Sequence, residues 1–222
     1  MKICVFGGTG VIGSSVISVA RAKGYDIVAV ARRPDVLRSQ YPDIQVVQGD
    51  VFKPETIGAA IADSDAVIST LGPPLRTLRS HLVPARRKTT IYSEGVINIA
   101  KAMEERGKRR LIVAASLIGI DPKPDGSWPA VIIVKLVLMP MLGYQYRDTA
   151  KMKEKFVEFH DLDWTLVGLS RLKGGEAKGR YRTSIGTPLH HPSNISRSDL
   201  ADYLVSIIND SATYRQWTEI SW

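Results

Sequence analysis

The residues best suited to chemistry open the chain. Gly7-Gly8-Thr9-Gly10-Val11-Ile12-Gly13 satisfies two glycine spacings at once, G-x-G-x-x-G and G-x-x-G-x-x-G. An apolar run, Lys2–Phe6, precedes it. Ile12, Val16, Val19 and Ala20 follow at helical spacing, with Gly24 as the C-cap. A strand, a glycine turn and a helix in that order form a cradle for a pyrophosphate. An early glycine permits the tight turn, a middle one lets backbone approach the anion, and the last lets helix and strand pack closely. The backbone around Gly7, Thr9, Gly10, Val11 and Ile12 then offers N–H groups to the ligand, with the positive end of the helix dipole behind them.

The end of the second strand selects the dinucleotide. Ile27–Ala31 runs into Arg32-Arg33-Pro34. An acid at this place accepts from a ribose 2′-hydroxyl, whereas an arginine fork matches a 2′-phosphate. The sequence therefore predicts NADP(H) ahead of NAD(H), with Arg32 as the main clamp and Arg33 in support. The alternative is a pair of surface arginines in a basic protein. A third strand, Ile44–Val47, ends in Gly49-Asp50-Val51. Asp50 there either accepts from the adenine amino group while backbone frames the ring, or caps the helix that follows. A fourth, Asp65–Leu71, is stopped by Gly72-Pro73-Pro74. Its end, Thr70-Leu71-Gly72, lies where the rising chain meets the ribose next to nicotinamide.

Stepping outward, Glu55–Ala62 reads as a helix, and Val96, Ile99, Ala100 and Met103 form a helical stripe ending at Gly107. Leu111–Ala115 is a fifth strand and Trp164–Leu169 a sixth. Most of these strands are continuously apolar, the mark of parallel strands buried on both faces. Alternation with helices implies an α/β, Rossmann-type, doubly wound parallel sheet in a single domain over residues 1–222. Residues 173–186, rich in Gly, Lys and Arg, read as a loop, and residues 126–146 as a segment covering the substrate.

Composition excludes several classes. Hydrophobic residues at 44% and charged residues at 23% are ordinary for a globular protein. The net charge of +8 attracts anions. Its clusters, Arg32–Arg33, Arg86–Lys88 and Lys108–Arg110, carry no interleaved aromatics or nucleic-acid motif, so no nucleic-acid partner is expected. The apolar stretch Trp128–Leu142 is shorter than the ~20 residues of a membrane span and is broken by Lys135. The lone Cys4 suits a reducing compartment. Met1–Phe6 shows no separate charged and apolar regions of a secretory signal, so the expectation is cytoplasmic. His190-His191 point to different sides, and His81 and His160 are distant, so no metal site is expected. Ser196 and Asp199 have nearly capping-box spacing and read as structural.

In order and spacing, GGTGVIG, the strand ending at Arg32, QGDVFKPETIGAAIADSDAVISTLG, TTIYSEGVINIAKAM, LIVAASLIGIDP, DWTLV with the later GRYR, and ISRSDLADYL resemble the atypical short-chain dehydrogenase/reductases. The resemblance covers nearly the whole chain. It is nearest to the NAD(P)H-binding group that contains NmrA-like proteins, biliverdin-IXβ reductase and flavin reductases. It implies a monomeric or weakly dimeric reductase that passes hydride from NADPH to a flat conjugated acceptor: a flavin, quinone or tetrapyrrole. Carried over by position, Ser116, directly after Ala115, is the active-site serine. Thr89-Thr90 begin the helix beside the cofactor, and Asp50-Val51 and Leu71-Gly72 are cofactor contacts.

The wider superfamily uses a Tyr-x-x-x-Lys pair, in which lysine lowers the tyrosine pKa. This chain lacks it: four residues beyond Tyr144 stands Asp148, four beyond Tyr146 stands Ala150, and Lys151 is one place too far. A flavin or linear tetrapyrrole needs mainly proximity and orientation, with the proton drawn from solvent. Ser116 is placed to orient nicotinamide or substrate, the alternative being a strand-end hydroxyl bonded to its own backbone. Tyr144 and Tyr146 line the acceptor pocket or are ordinary half-buried helix tyrosines. Two departures stand out: Gly168-Leu169-Ser170 replaces the usual Arg-Pro or Pro-Pro, and Ser127–Gly143 is longer and more apolar than in small flavin reductases. Competing readings are a non-catalytic NADP(H) redox sensor and a sugar-nucleotide epimerase.

Overall fold

Strand formation follows the apolar runs closely. The computed structural model describes residues 1–72, 89–115, 139–169, 171–189 and 193–222. Its elements are β1 (Lys2–Phe6), α1 (Val11–Ala22), β2 (Asp26–Ala31), α2 (Asp35–Gln40), β3 (Gln45–Gln48), α3 (Gly58–Ala62) and β4 (Ala66–Ser69). After a π-helical turn at Ile91–Val96 come α4 (Ile97–Glu104), β5 (Arg110–Ala115), α5 (Met139–Phe156) and β6 (Asp163–Leu169). The chain finishes with β7 (Arg171–Lys173), β8 (Arg182–Ile185), β9 (Asn194–Ser196), α6 (Arg197–Ser206) and β10 (Gln216–Ser221).

Eight strands form one sheet in the order β3-β2-β1-β4-β5-β6-β10-β8, and β7 pairs with β9 separately. Every pair in the large sheet is parallel except β10 with β8. Side chains alternate across the strands and build a core on each face. Ile3 and Val5 pack with Val16 and Ile17 of α1 and Leu200 and Leu204 of α6. Cys4 and Phe6 pack with Ile61 of α3, Ile99 and Met103 of α4, and Phe156 of α5. The predicted single-domain, doubly wound α/β architecture is present, and the change of direction in strand order falls between β1 and β4. Ligands of open α/β sheets bind at such a point, beyond the carboxyl ends of the strands.

Two local readings are corrected, and one strand went unread. Glu55–Ala62 is not one helix: Pro54–Thr56 is a 3-10 turn, with α3 starting at Gly58. The Thr56 hydroxyl donates to the Lys53 carbonyl at 2.7 Å, which tightens the first turn. Residues 173–186 are not all loop, since Arg182–Ile185 pairs antiparallel with Ser221–Thr218 of β10. The polar β8 owes its conformation to that non-local partner rather than to an apolar pattern. Finally, β10 itself carries no strand signature, yet it lies parallel to β6, with Glu219 opposite Gly168.

The amino-terminal edge of the sheet is closed by Arg110. Its buried guanidinium donates to the carbonyls of Ile207, Ile208 and Asp163 and to the hydroxyls of Thr165 and Thr213. Burial pulls its pKa down to about 10, and the ring of Tyr214 lies 4.6 Å beneath it. Among the described residues, no helix is long and apolar enough to cross a membrane.

Candidate active site

The turns after β1, β2 and β4 open on one edge, because Phe6 pairs with both Val30 and Ser69. The turn after β1 is shaped by its glycines. Gly7 has φ +85°, a left-handed conformation that side chains rarely adopt, and a Cβ there would stand 2.7 Å from Thr70 Oγ1. The Thr70 hydroxyl in turn donates to the Phe6 carbonyl at 3.0 Å, tying β4 to the turn. At Gly13 a Cβ would fall 2.2 Å from the Gly7 carbonyl oxygen, so α1 can approach β1 only with glycine there. Gly10 caps α1 without a side chain, and no acid sits in the first turn. The leading N–H groups of α1 thus keep no side-chain cap of their own, and Thr9, Gly10 and Val11 are exposed while Ile12 is half-buried.

Beside this turn, the exposed Arg32 and Arg33 follow β2. Neither guanidinium makes an ion pair or hydrogen bond among the described residues; the recorded ion pairs use other cations. Asp50 is half-buried after β3. Its Oδ1 accepts from the Phe52 N–H at 3.1 Å, and its own N–H donates to Thr56 Oγ1 at 2.9 Å. The carboxylate therefore closes a local turn rather than capping a helix. Oδ2 has no partner among the described residues. Val51 is buried, and its carbonyl accepts from Asn98 Nδ2 at 2.9 Å.

After β4, Leu71 is half-buried and Gly72 exposed; Thr90 is half-buried just before the π-helical turn. Thr90's carbonyl accepts from Glu94 N–H (2.8 Å) and Gly95 N–H (3.2 Å), which widens the turn. Gly95 lets this turn lie against Val51, since a Cβ would meet Val51 Cγ2 at 2.8 Å. The start of the turn is sealed. Ile91 N–H donates to Thr89 Oγ1 at 3.3 Å, Tyr92 N–H to Asp148 Oδ2 at 3.0 Å, and Ser93 N–H to Asp148 Oδ1 at 2.9 Å. The Ser93 hydroxyl donates to the same carboxylate. Asp148, which stands where the superfamily's lysine would follow Tyr144, is thus a buried anchor between α5 and the π-helical turn. Lys155 Nζ adds a bond to the Ser93 carbonyl at 3.3 Å.

Sequence reasoning missed two residues here. Asp148 was visible only as a wrong residue at the lysine position. Tyr92 gave no signal; its hydroxyl lies 3.1 Å from the place of a Gly72 Cβ. Of the expected nicotinamide-end groups, Ala115 is buried at the end of β5. Ser116 and the segment to residue 138 lie outside the described residues, as do Pro73-Pro74, Arg86–Lys88 and His190-His191. Tyr144 and Tyr146 ride on α5, but their side chains are outside the described set. In the Gly168-Leu169-Ser170 stretch that replaces the expected Arg-Pro or Pro-Pro, Gly168 packs closely on β10: a Cβ would come 3.0 Å from Trp217 Nε1. Among the described residues, no group of three His, Cys, Asp or Glu could hold a metal.

Comparison with known proteins agrees with this geometry. Among solved structures, the anaerobillin reductase ChuY from Escherichia coli O157:H7 superposes with a TM-score of 0.75 at 21% identity, covering 100% of this chain and 97% of that one. A wide-type short-chain dehydrogenase/reductase from Veillonella parvula, in complex with NADP, gives a TM-score of 0.76 at 14% identity, covering 100% and 94%. At these identities the likeness is one of fold. Among curated proteins, the photosystem II assembly factor Ycf39 of Synechocystis is 23% identical over 97% of this chain. A 3-diazoavenalumate denitrifying reductase from Streptomyces is 28% identical over 60%. The chain spans 61% of the first and 48% of the second, about half to three-fifths of their length. A family profile described as NAD(P)H-binding matches residues 7–211, from the glycine turn to beyond α6. The chain belongs to this NAD(P)H-binding family.

Proposed function

We propose that the protein is an NADPH-dependent reductase whose acceptor is a flat conjugated molecule such as a flavin, quinone or tetrapyrrole. The observation that carries the cofactor choice is the exposed Arg32–Arg33 pair beside the glycine turn, which has no partner among the described residues. The residues fit the dinucleotide. The turn leaves room for backbone to approach a pyrophosphate, and Gly10 leaves the start of α1 uncapped by any side chain. Arg32 takes the 2′-phosphate as a fork, with Arg33 in support. Asp50 Oδ2 accepts from the adenine amino group, and Leu71-Gly72 and Thr90 line the far ribose.

The chemistry a bound NADPH supplies is a hydride. The chain's contribution is orientation and exclusion of water, because the lysine of an acid–base pair is replaced by an Asp already engaged by Tyr92 and Ser93. Ser116 orients the nicotinamide or acceptor, and Tyr144 and Tyr146 flank the acceptor. The reductases among the relatives support this reading. The assembly-factor relative, matched over nearly the whole chain, supports a second: an NADP(H)-binding regulator without turnover.

Titrating NADPH and NADH into the protein near physiological salt, then following oxidation with FMN or a simple quinone, tests both. Tighter uptake of NADPH with turnover on one acceptor is the expected result. Absence of uptake of either dinucleotide overturns the proposal, and firm uptake without oxidation across the acceptors leaves the regulator.

A further inference from the structure

The Tyr92 ring is buried with Val51, Val113 and Ala115 on one face of the sheet. Its hydroxyl ends beside Gly72, just beyond the carboxyl end of β4, so close that an alanine methyl there would stand 3.1 Å from the phenol oxygen. Two features fix that position. The π-helical turn shifts the residues after Thr90 out of ordinary helical register, a local device common at functional sites. The Asp148 carboxylate holds the Tyr92 and Ser93 N–H groups, so the phenol is carried on a clamped backbone.

We propose that Tyr92 is a cofactor-contacting residue, its hydroxyl bonding the nicotinamide-side ribose, and that Asp148 is its positioning residue. The proposal rests on the NADP(H) reading above. A phenol is both donor and acceptor, which suits the paired hydroxyls of a ribose. Gly72 is then required to be small for a reason separate from its backbone: the space beside it belongs to the phenol. The lost Tyr-x-x-x-Lys pair and the gained contact are linked, because the residue at the lysine position places a different tyrosine at the cofactor.

The test compares NADPH with adenosine 2′,5′-bisphosphate, which carries the glycine-turn and Arg32 determinants but no nicotinamide riboside. Tyr92→Phe keeps the buried ring, and loss of one hydrogen bond weakens NADPH by about three- to tenfold. The affinity for the bisphosphate stays at the wild-type value. Asp148→Asn shows the same split, and the double variant is no worse than the weaker single one. Gly72→Ala, which crowds the phenol, reproduces the effect should Asp148→Asn fail to fold. Equal NADPH affinity for wild type and Tyr92→Phe overturns the proposal, as does equal weakening of both ligands. If wild type binds neither ligand, it is the cofactor reading that fails.

Discussion

Helix beginnings near the site are treated in two opposite ways. The start of α1 has Gly10 as its cap, no side chain to bond the leading N–H groups, and no acid in its first turn. The turn at Ile91–Val96 is closed by Thr89 and by both oxygens of Asp148. A third helix, α6, is closed by Ser196, whose hydroxyl accepts from the Asp199 N–H at 2.9 Å. Free N–H groups at a helix start are a strong attractor for anions, and a carboxylate supplied by the protein removes the attraction. The difference separates these two closed starts, which stabilise the fold, from the start of α1, proposed above to hold the pyrophosphate.

The sharpest way to break this contrast is to spoil the open helix without adding charge. Gly13→Ala places a methyl 2.2 Å from the Gly7 carbonyl and under 3 Å from Gly8 Cα. Neither contact is with a flexible side chain, so α1 must move away from β1. Overpacking of this kind costs about 1–3 kcal/mol of stability. Because the displaced backbone is the proposed cradle, NADPH affinity is expected to fall by more than about tenfold, more than the stability loss alone predicts. Calorimetric titration beside a thermal melt measures the two effects. Near-wild-type affinity in a destabilised protein would show that the cradle lies elsewhere.

The glycine turn was legible in the sequence because glycine at Gly7 and Gly13 answers a local demand: a left-handed backbone and a missing Cβ. The strands β1, β2, β4, β5 and β6 were legible because burial on both faces writes a continuous apolar run. What was not legible depends on distant partners. Strands β8 and β10 are mixed in polarity and gain their conformation by pairing with each other and with β6. The bond between Asp148 and Ser93 spans 55 positions, so no local pattern announces it. Asp199 was half legible: its capping role follows from Ser196, but its other partners do not.

An effect confined to binding, with no loss of stability, tests the cofactor side of the contrast. Arg32 is exposed and has no partner to lose among the described residues, so Arg32→Ala leaves the melting temperature nearly unchanged. A charge-assisted bond to a 2′-phosphate is worth about 1.5–3 kcal/mol, so NADPH affinity drops by roughly ten- to a hundredfold. NADH, without that phosphate, changes little. Equal losses for the two dinucleotides would remove Arg32 from the clamp and leave the open helix start as the only anion contact.

The smallest effect concerns a closed helix start, and it is visible only as a function of pH. The Asp199 carboxylate accepts from Lys178 N–H (3.0 Å), Gly179 N–H (2.9 Å), the Ser196 hydroxyl (2.8 Å) and Trp222 Nε1 (2.8 Å). Burial alone would raise its pKa, but the bonds from Lys178, Trp222, Ser196 and Gly179 outweigh it and leave the group below the usual carboxylate value. A carboxylate lowered on folding stabilises the native state above its unfolded pKa of about 3.9, and the gain is lost as pH falls through the folded value. Asp199→Asn keeps the shape but not the charge, so at neutral pH it lowers stability by about 1–2 kcal/mol. The gap to wild type should shrink steadily below about pH 4, as the wild-type carboxyl takes up its proton. Urea midpoints at neutral and acid pH measure it. A gap of constant size would mean that Asp199 holds α6, residues 178–179 and Trp222 together by shape alone, and that charge matters only where the helix start is open.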